Sequence, residues 1–394
     1  MNENVVLLTP QEAAKRLQKV QTLIRAQHLD AILVTDNANI FYLCGRVFAG
    51  MAYIPAEGEP AWLIRRPVEL EGNRVAYIHR PENIPEHLEA FGIPMPHKLG
   101  LEFDLLPYSM ATRLQAVFPE ASTADCSALL RTARAVKTDE EIEQIRLSGV
   151  KHKEVYRKIP GLYTPGMTDV ELQIEIERLS RLEGCLGMFR ISGQSMEIFM
   201  GNVLTGKNAD VPAPYDFAMG GRGLNPSIPG GAAGEEIKEH NAVMVDLNGN
   251  FTGYMTDMTR VFAVGSLPQE AIDAHQCSID ICRMFEREAL PGVEAKALYE
   301  KALDMVKDRG LEAYFMGHRQ HAGFIGHGVG IEINELPVIA PRSKNILEEN
   351  NVIALEPKFV IPGTGAVGIE NTYVITRAGA HCLTNAPEEI RTLE

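Results

Sequence analysis

The sequence is short of several things, and each shortage narrows the field. No stretch approaches the roughly 18 consecutive apolar residues of a membrane-spanning helix. The opening MNENVVLLTPQEAAKR has no basic segment followed by a long apolar core, so a secretory signal is not expected. Positive charge is scarce: 38 Lys and Arg stand against 52 Asp and Glu, a formal net charge of −14. That balance argues against partners that present phosphates, whether nucleic acid or an anionic membrane surface. The six cysteines (Cys44, Cys126, Cys185, Cys277, Cys282 and Cys382) contain no CxxC pair. In a chain of 394 residues they read as reduced thiols in a cytoplasmic protein. Low-complexity tracts and short-period repeats are missing too.

What is present is ordinary globular material, 45% hydrophobic and 23% charged, long enough for two or three domains. The first third alternates helix and strand signals. Thr9-Pro10-Gln11-Glu12 is a helix start, and Ala31–Thr35 is a short buried strand that Asp36-Asn37 breaks. Strand-like runs at 52–54, 61–64 and 99–102 follow, so an α/β domain is expected over residues 1–135. Thr138 with Glu141 and Thr168 with Glu171 are capping boxes, predicting a helix over about 139–158 and a second that ends near Gly184. Further helices are expected from Gln269 to about 288 and over 294–308. Apolar strand runs lie at 242–247, 254–262, 351–360 and 367–375. Residues 136–394 therefore read as an α+β domain, helices on a mostly antiparallel sheet.

Two of these strand pairs carry acids where a purely structural strand rarely places them. In VMVDLNGNFTGYMTDMTR, Asp246 and Asp257 are equidistant from the Phe251/Thr252 midpoint. A hairpin turning there sets the two carboxylates directly opposite, with Cβ atoms ~5 Å apart. Asn248-Gly249 is the stronger two-residue turn signal, but it would pair Asp246 with Phe251 and separate the acids. In IALEPKFVIPGTGAVGIENT, Glu356 and Glu370 are equidistant from Gly363, inside Pro-Gly-Thr-Gly. Facing like charges on a half-buried sheet need a cation. His327, flanked by glycines in GHGVG, offers an imidazole. Four carboxylates and one imidazole suit two divalent ions ~3.5–4 Å apart that share and acidify a water.

The strings VMVDLNGNFTGYMTDMTRVF, GHGVGIEINELP and IALEPKFVIPGTGAVGIENTYVIT resemble the pita-bread metallopeptidases: aminopeptidase P, prolidase (Xaa-Pro dipeptidase), methionine aminopeptidase and the related creatinase. DAILVTDNANIFYLCG and ARAVKTDEEIEQIRLS are similar to the creatinase/prolidase N-terminal domain. The resemblance implies a C-terminal pita-bread catalytic domain and a metal shell of Asp246, Asp257, His327, Glu356 and Glu370. Asp257 and Glu370 would bridge the ions, and Glu356 would accept the proton of the bridging water. Mn²⁺ is the expected ion, with Co²⁺, Zn²⁺ or Fe²⁺ as alternatives. The expected substrate is a small peptide and the expected assembly a homodimer.

Three departures stand out. Asn334 occupies the place of a second family histidine, the stretch Leu224–Gly230 lacks an upstream histidine, and Gly368 stands where prolidase-like members carry an arginine. His318 and His321 are candidate replacements in substrate binding. These losses predict slow hydrolysis of ordinary Xaa-Pro dipeptides. They also leave open a creatinase-like reaction on a non-peptide C–N bond, or a weakened metal-binding relative.

Overall fold

Thr9 opens the first helix as its residue type requires: its Oγ1 accepts from the Glu12 N–H, and the helix runs Pro10–Ala26. Asp36 ends the Ala31–Val34 strand and caps the following helix by accepting from the Ala38 and Asn39 N–H groups. The computed structural model describes residues 3–393. The chain falls into two units, Met1–Arg134 and Ala135–Glu394. In the first, a six-stranded sheet runs in the order Val75–Tyr77, Ala61–Arg66, Ala49–Pro55, Ala31–Val34, Lys98–Leu101 and Ser122–Asp125. Leu33, Leu63, Leu99 and Leu114 fill its core.

The second unit begins with both capping boxes in place. Thr138 and Glu141 exchange hydrogen bonds at the start of Asp139–Lys158, and Thr168 and Glu171 do so at Asp169–Leu182. Gly184 follows that second helix with φ +100°. The later helices are Gln269–Glu288 and Ala295–Lys307. Helix Gln269–Glu288 packs Ile281 and Phe285 on Val367 and Tyr373, while Asp139–Lys158 packs Val155 and Tyr156 against Val245 and Met258. Truncating a buried Phe such as Phe285 typically costs about 3–5 kcal/mol.

A four-stranded sheet runs Arg391–Thr392, Met255–Ala263, Ala242–Asn250 and Gly201–Thr205. A five-stranded sheet runs Glu335–Ile339, Gly326–Gly328, Val352–Leu355, Asn371–Thr376 and Gly379–Cys382. A β-bridge between Thr259 and Glu370 joins the two at the acids.

The first acid hairpin differs from expectation in register. Asn250 pairs with Met255, so the loop spans residues 251–254, and the Asn250 Oδ1 accepts from the Gly253 N–H. Asp246 then faces Thr259, and Asp257 faces Asn248. The acids share a face but stand diagonally, not opposite. Asn248-Gly249 makes no turn. A Cβ on Gly249 would lie 2.6 Å from both His152 Nδ1 and Thr256 Oγ1, so this glycine is there for close packing.

The second hairpin keeps the register expected of it. Leu355 pairs with Asn371, and Lys358 with Gly368, which leaves Glu356 and Glu370 on the rung between. The strands expected as continuous over 351–360 and 367–375 are interrupted at that rung. Pro357 has no N–H to give the ladder, and the Glu356 N–H goes to the Ile325 carbonyl instead. Lys358–Ile361 and Gly365–Gly368 consequently form a separate two-stranded ribbon.

Candidate metal centre

Each acid is fixed through its backbone before its carboxylate does anything. Thr372 Oγ1 accepts from the Asp257 N–H and donates to the Asp257 carbonyl, both at 2.9 Å. Arg260, fully buried, donates to the Glu370 carbonyl at 2.8 Å and the Asn371 side chain at 2.7 Å. His327 sits on Gly326–Gly328, where a Cβ on Gly326 would meet the Ala354 carbonyl at 2.6 Å and one on Gly328 the Leu336 carbonyl at 2.2 Å. The flanking glycines are thus demanded by neighbouring backbone. His327 Nδ1 lies 3.1 Å from its acceptor, the Gly328 carbonyl, which leaves Nε2 facing the acids. Nε2 is 3.3 Å from Glu356 Oε1 and 4.0 Å from Asp257 Oδ2.

All five expected ligands converge, in two groups: Asp257, His327 and Glu370, and Asp246, Glu356 and Glu370. The groups differ in what they already hold. Glu370 Oε2 accepts from Thr259 Oγ1 at 2.8 Å and from Lys358 at 3.1 Å, while Glu370 Oε1 is buried with no partner among the described residues. Asp257 is pushed well above the ordinary carboxylate range by burial and by the negative charge of Glu370. Glu370 is pushed up to about 8 by burial and by Glu356. A buried acceptor without a donor and two acids strained against each other fit a divalent ion at the first group.

The second group contains a residue that the sequence reading passed over. Lys358 is fully buried, and its Nζ lies 2.9 Å from Asp246, 2.7 Å from Glu356 and 3.1 Å from Glu370. Burial alone would lower its pKa, but the three carboxylates raise it well above the usual lysine value. The second group, expected to hold an ion, therefore has an ammonium among its three carboxylates. Lys358 was legible in principle: a lysine in the apolar run VIALEPKFVI, two residues from Glu356, must share the face of that acid.

The other residues expected at the site are engaged too. Glu356 is held down to about 2: burial opposes this, but Lys358 and His327 together outweigh it. His318 and His321 do not line the acid pocket. The first pairs at 3.0 Å with Asp210, 108 residues earlier, and the second bonds the Phe315 carbonyl of its own loop at 2.8 Å. Asn334 does line the pocket, yet its amide is committed: Oδ1 accepts from the Ser192 N–H and Nδ2 donates to the Ser192 carbonyl, both at 2.7 Å. The next residue, Glu335, forms a buried ion pair with Lys137 at 2.8 Å.

The pocket is small, about 90 Å³, room for only a few waters. Asp246, Asp257, His327 and Glu356 meet there with Asn202, Asn248 and the apolar Phe199, Phe217 and Phe324. The stretch Leu224–Gly230, where the upstream histidine is missing, contributes instead to a neighbouring cavity of about 360 Å³ that shares Phe199 and Asn202.

Residues 143–377 match the model of metallopeptidase family M24, and residues 16–136 match the creatinase/prolidase N-terminal domain. The chain belongs to metallopeptidase family M24. Among its M24 relatives, an uncharacterized peptidase of Bacillus subtilis is 26% identical over 386 residues, covering 95% of this chain and 99% of that protein. A Xaa-Pro dipeptidase of Pyrococcus furiosus is 27% identical over 384 residues, covering 95% and 99%. The solved prolidase from Pyrococcus horikoshii superposes with a TM-score of 0.78 at 24% identity, over 95% of this chain and 99% of that one. A Xaa-Pro dipeptidase from Bacillus anthracis gives 0.79 at 22% identity, over 97% and 100%. The fold is thus the two-domain pita-bread architecture, and M24 membership implies divalent metal.

Proposed function

We propose that this M24 member hydrolyses an amide or amide-like C–N bond in a small substrate, a reaction of the Xaa-Pro peptidase type, and is slow on ordinary Xaa-Pro dipeptides. The observation that carries the proposal is the convergence of Asp246, Asp257, His327 and Glu356 on the floor of one small pocket, with Glu370 buried behind them. Asp257, His327 and Glu370 would hold a divalent ion, Mn²⁺ by preference. When bound, such an ion polarises a carbonyl and acidifies a water. The chain's own residues do the rest. Phe199, Phe217 and Phe324 wall the pocket and limit water. Asp246 presents a carboxylate at the pocket that can bind a substrate amine. The Asn334–Ser192 clamp fixes the wall, uses one of the two Nδ2 hydrogens and aims the amide at Ser192. An amide so placed cannot take up or release a proton as a histidine does, and loss of a positioned oxyanion donor typically costs ~10²–10³ in turnover.

The small pocket volume supports a second reading, a compact non-peptide substrate. A panel of Xaa-Pro and other dipeptides, run beside small ureas, amidines and amides with and without Mn²⁺, separates the two. Ready turnover of Xaa-Pro dipeptides, at ~10 per second, would refute the slow-peptidase reading. No turnover of any member would refute the hydrolase. A homodimer in the cytoplasm is part of the proposal; its assembly is checked by sedimentation. Among the described residues, no helix is long and apolar enough to cross a membrane.

A further inference from the structure

An ammonium has three N–H donors and no acceptor. Lys358 Nζ has three carboxylate partners, one each from Asp246, Glu356 and Glu370, all within 3.1 Å. Those three acids are also the second group of candidate metal ligands. A metal ion there would draw the same three carboxylates to roughly 2.0–2.2 Å, into the space that the ammonium fills.

The lysine is also held in place by its backbone. Its carbonyl accepts from the Met316 N–H at 2.8 Å, and it pairs across the ribbon with Gly368. Gly368 has φ +130°, and a Cβ on it would lie 2.7 Å from the Pro357 carbonyl and 3.0 Å from the Lys358 Cα. The rung opposite Lys358 is therefore bare by necessity. That is the position at which prolidase-like members carry an arginine, so here the rung takes its cation from the other strand.

Charge agrees with geometry. The ammonium and one divalent ion bring the four carboxylates to within one charge of balance, with His327 neutral. Glu370 divides its oxygens accordingly: Oε2 serves Lys358 and Thr259, and Oε1 has no partner among the described residues.

We infer that Lys358 is a resident cation that takes the place of the second metal ion, so that each chain binds a single divalent ion, at Asp257, His327 and Glu370. This rests on reading those residues as a metal centre, and it does not depend on which bond is hydrolysed. A water bridging two ions is then not available to this chain.

The test is metal stoichiometry. The full-length protein is stripped with chelator, dialysed to equilibrium against excess Mn²⁺, and analysed for metal per chain. Wild type should hold one ion, with the resolved hyperfine spectrum of an isolated Mn²⁺. Lys358→Ala, which frees three carboxylates, should hold two, with a spectrum broadened by coupling. Lys358→Arg, which keeps the charge, should not exceed one. Two ions or none in wild type would overturn the inference, as would Lys358→Ala holding no more metal than wild type. Should Lys358→Ala fail to fold, the wild-type stoichiometry decides alone. A silent substrate panel with one ion bound would reject the proposed reaction and leave this inference standing.

Discussion

Replacing Lys358 by Met keeps most of the side-chain volume and removes only the charge. Its consequence for stability can be worked from the contacts. Three carboxylate oxygens lie 2.7–3.1 Å from Nζ. At an effective dielectric near 20, each such pair is worth roughly 5–6 kcal/mol in gross Coulomb energy. The desolvation of four buried or half-buried charges opposes this by several kcal/mol per ion. Net values for breaking one partner out of a buried pair are about 3–5 kcal/mol, because the remaining charges are left uncompensated. Lys358→Met in chelator at neutral pH should therefore be destabilised by about that much in urea unfolding. The acids left behind repel one another, so their folded pKa values rise above the unfolded ones. A carboxylate so shifted contributes stability below its unfolded pKa and loses it as pH rises through the folded one. The defect should accordingly be largest at neutral pH and shrink toward pH 4–5. Mn²⁺ at a hundred times its dissociation constant should restore about 2.7 kcal/mol. A variant as stable as wild type in chelator at pH 7 would refute the reasoning, because it would mean the ammonium does not compensate those acids.

Two further outcomes follow from the contacts. Asn334→His should not raise dipeptide turnover, although it restores the residue type of the relatives. It removes both hydrogen bonds to Ser192, worth about 1 kcal/mol each, and an imidazole cannot donate and accept across one backbone residue as an amide does. Faster turnover with unchanged stability would show that the clamp is dispensable. His152 is buried against Thr256 and held down to about 3 by desolvation and by Arg260. A base with a depressed folded pKa contributes stability that is complete above its unfolded value of ~6.5 and is lost as pH falls toward 3. His152→Gln should flatten the decline in melting temperature over that interval, and an unchanged decline would assign it to other groups.

Much of the fold was legible because its signals are local. Thr138 and Glu141 bond to each other across one turn, so the helix start follows from four residues. The Glu356–Glu370 register was legible for the same reason: Pro-Gly-Thr-Gly closes a tight turn at its centre. The Asp246–Asp257 register was harder, because Asn248-Gly249 looks like a turn until His152, about a hundred residues earlier, is seen to need the space of a missing Cβ. No local rule contains that contact.

The case of Lys358 is different in kind. Carboxylate spacing in the sequence identifies a place that needs positive charge, but it does not say what supplies it. A metal ion is invisible in sequence, so five ligands at family positions invite the reader to supply two. A lysine two residues along a strand from Glu356 shares that residue's face and can reach the same oxygens. The pattern that argues for a cation therefore argues equally for the one the chain already encodes. What decides between them is burial: Lys358 is wholly enclosed, and an enclosed ammonium cannot persist without partners. Its partners are the acids themselves, so the need for a second ion is met within the strand that creates it. In the remaining group, Asp257, His327 and Glu370, Lys358 reaches only Glu370 Oε2, and among the described residues Glu370 Oε1 has no partner, so there the chemistry still calls for a metal.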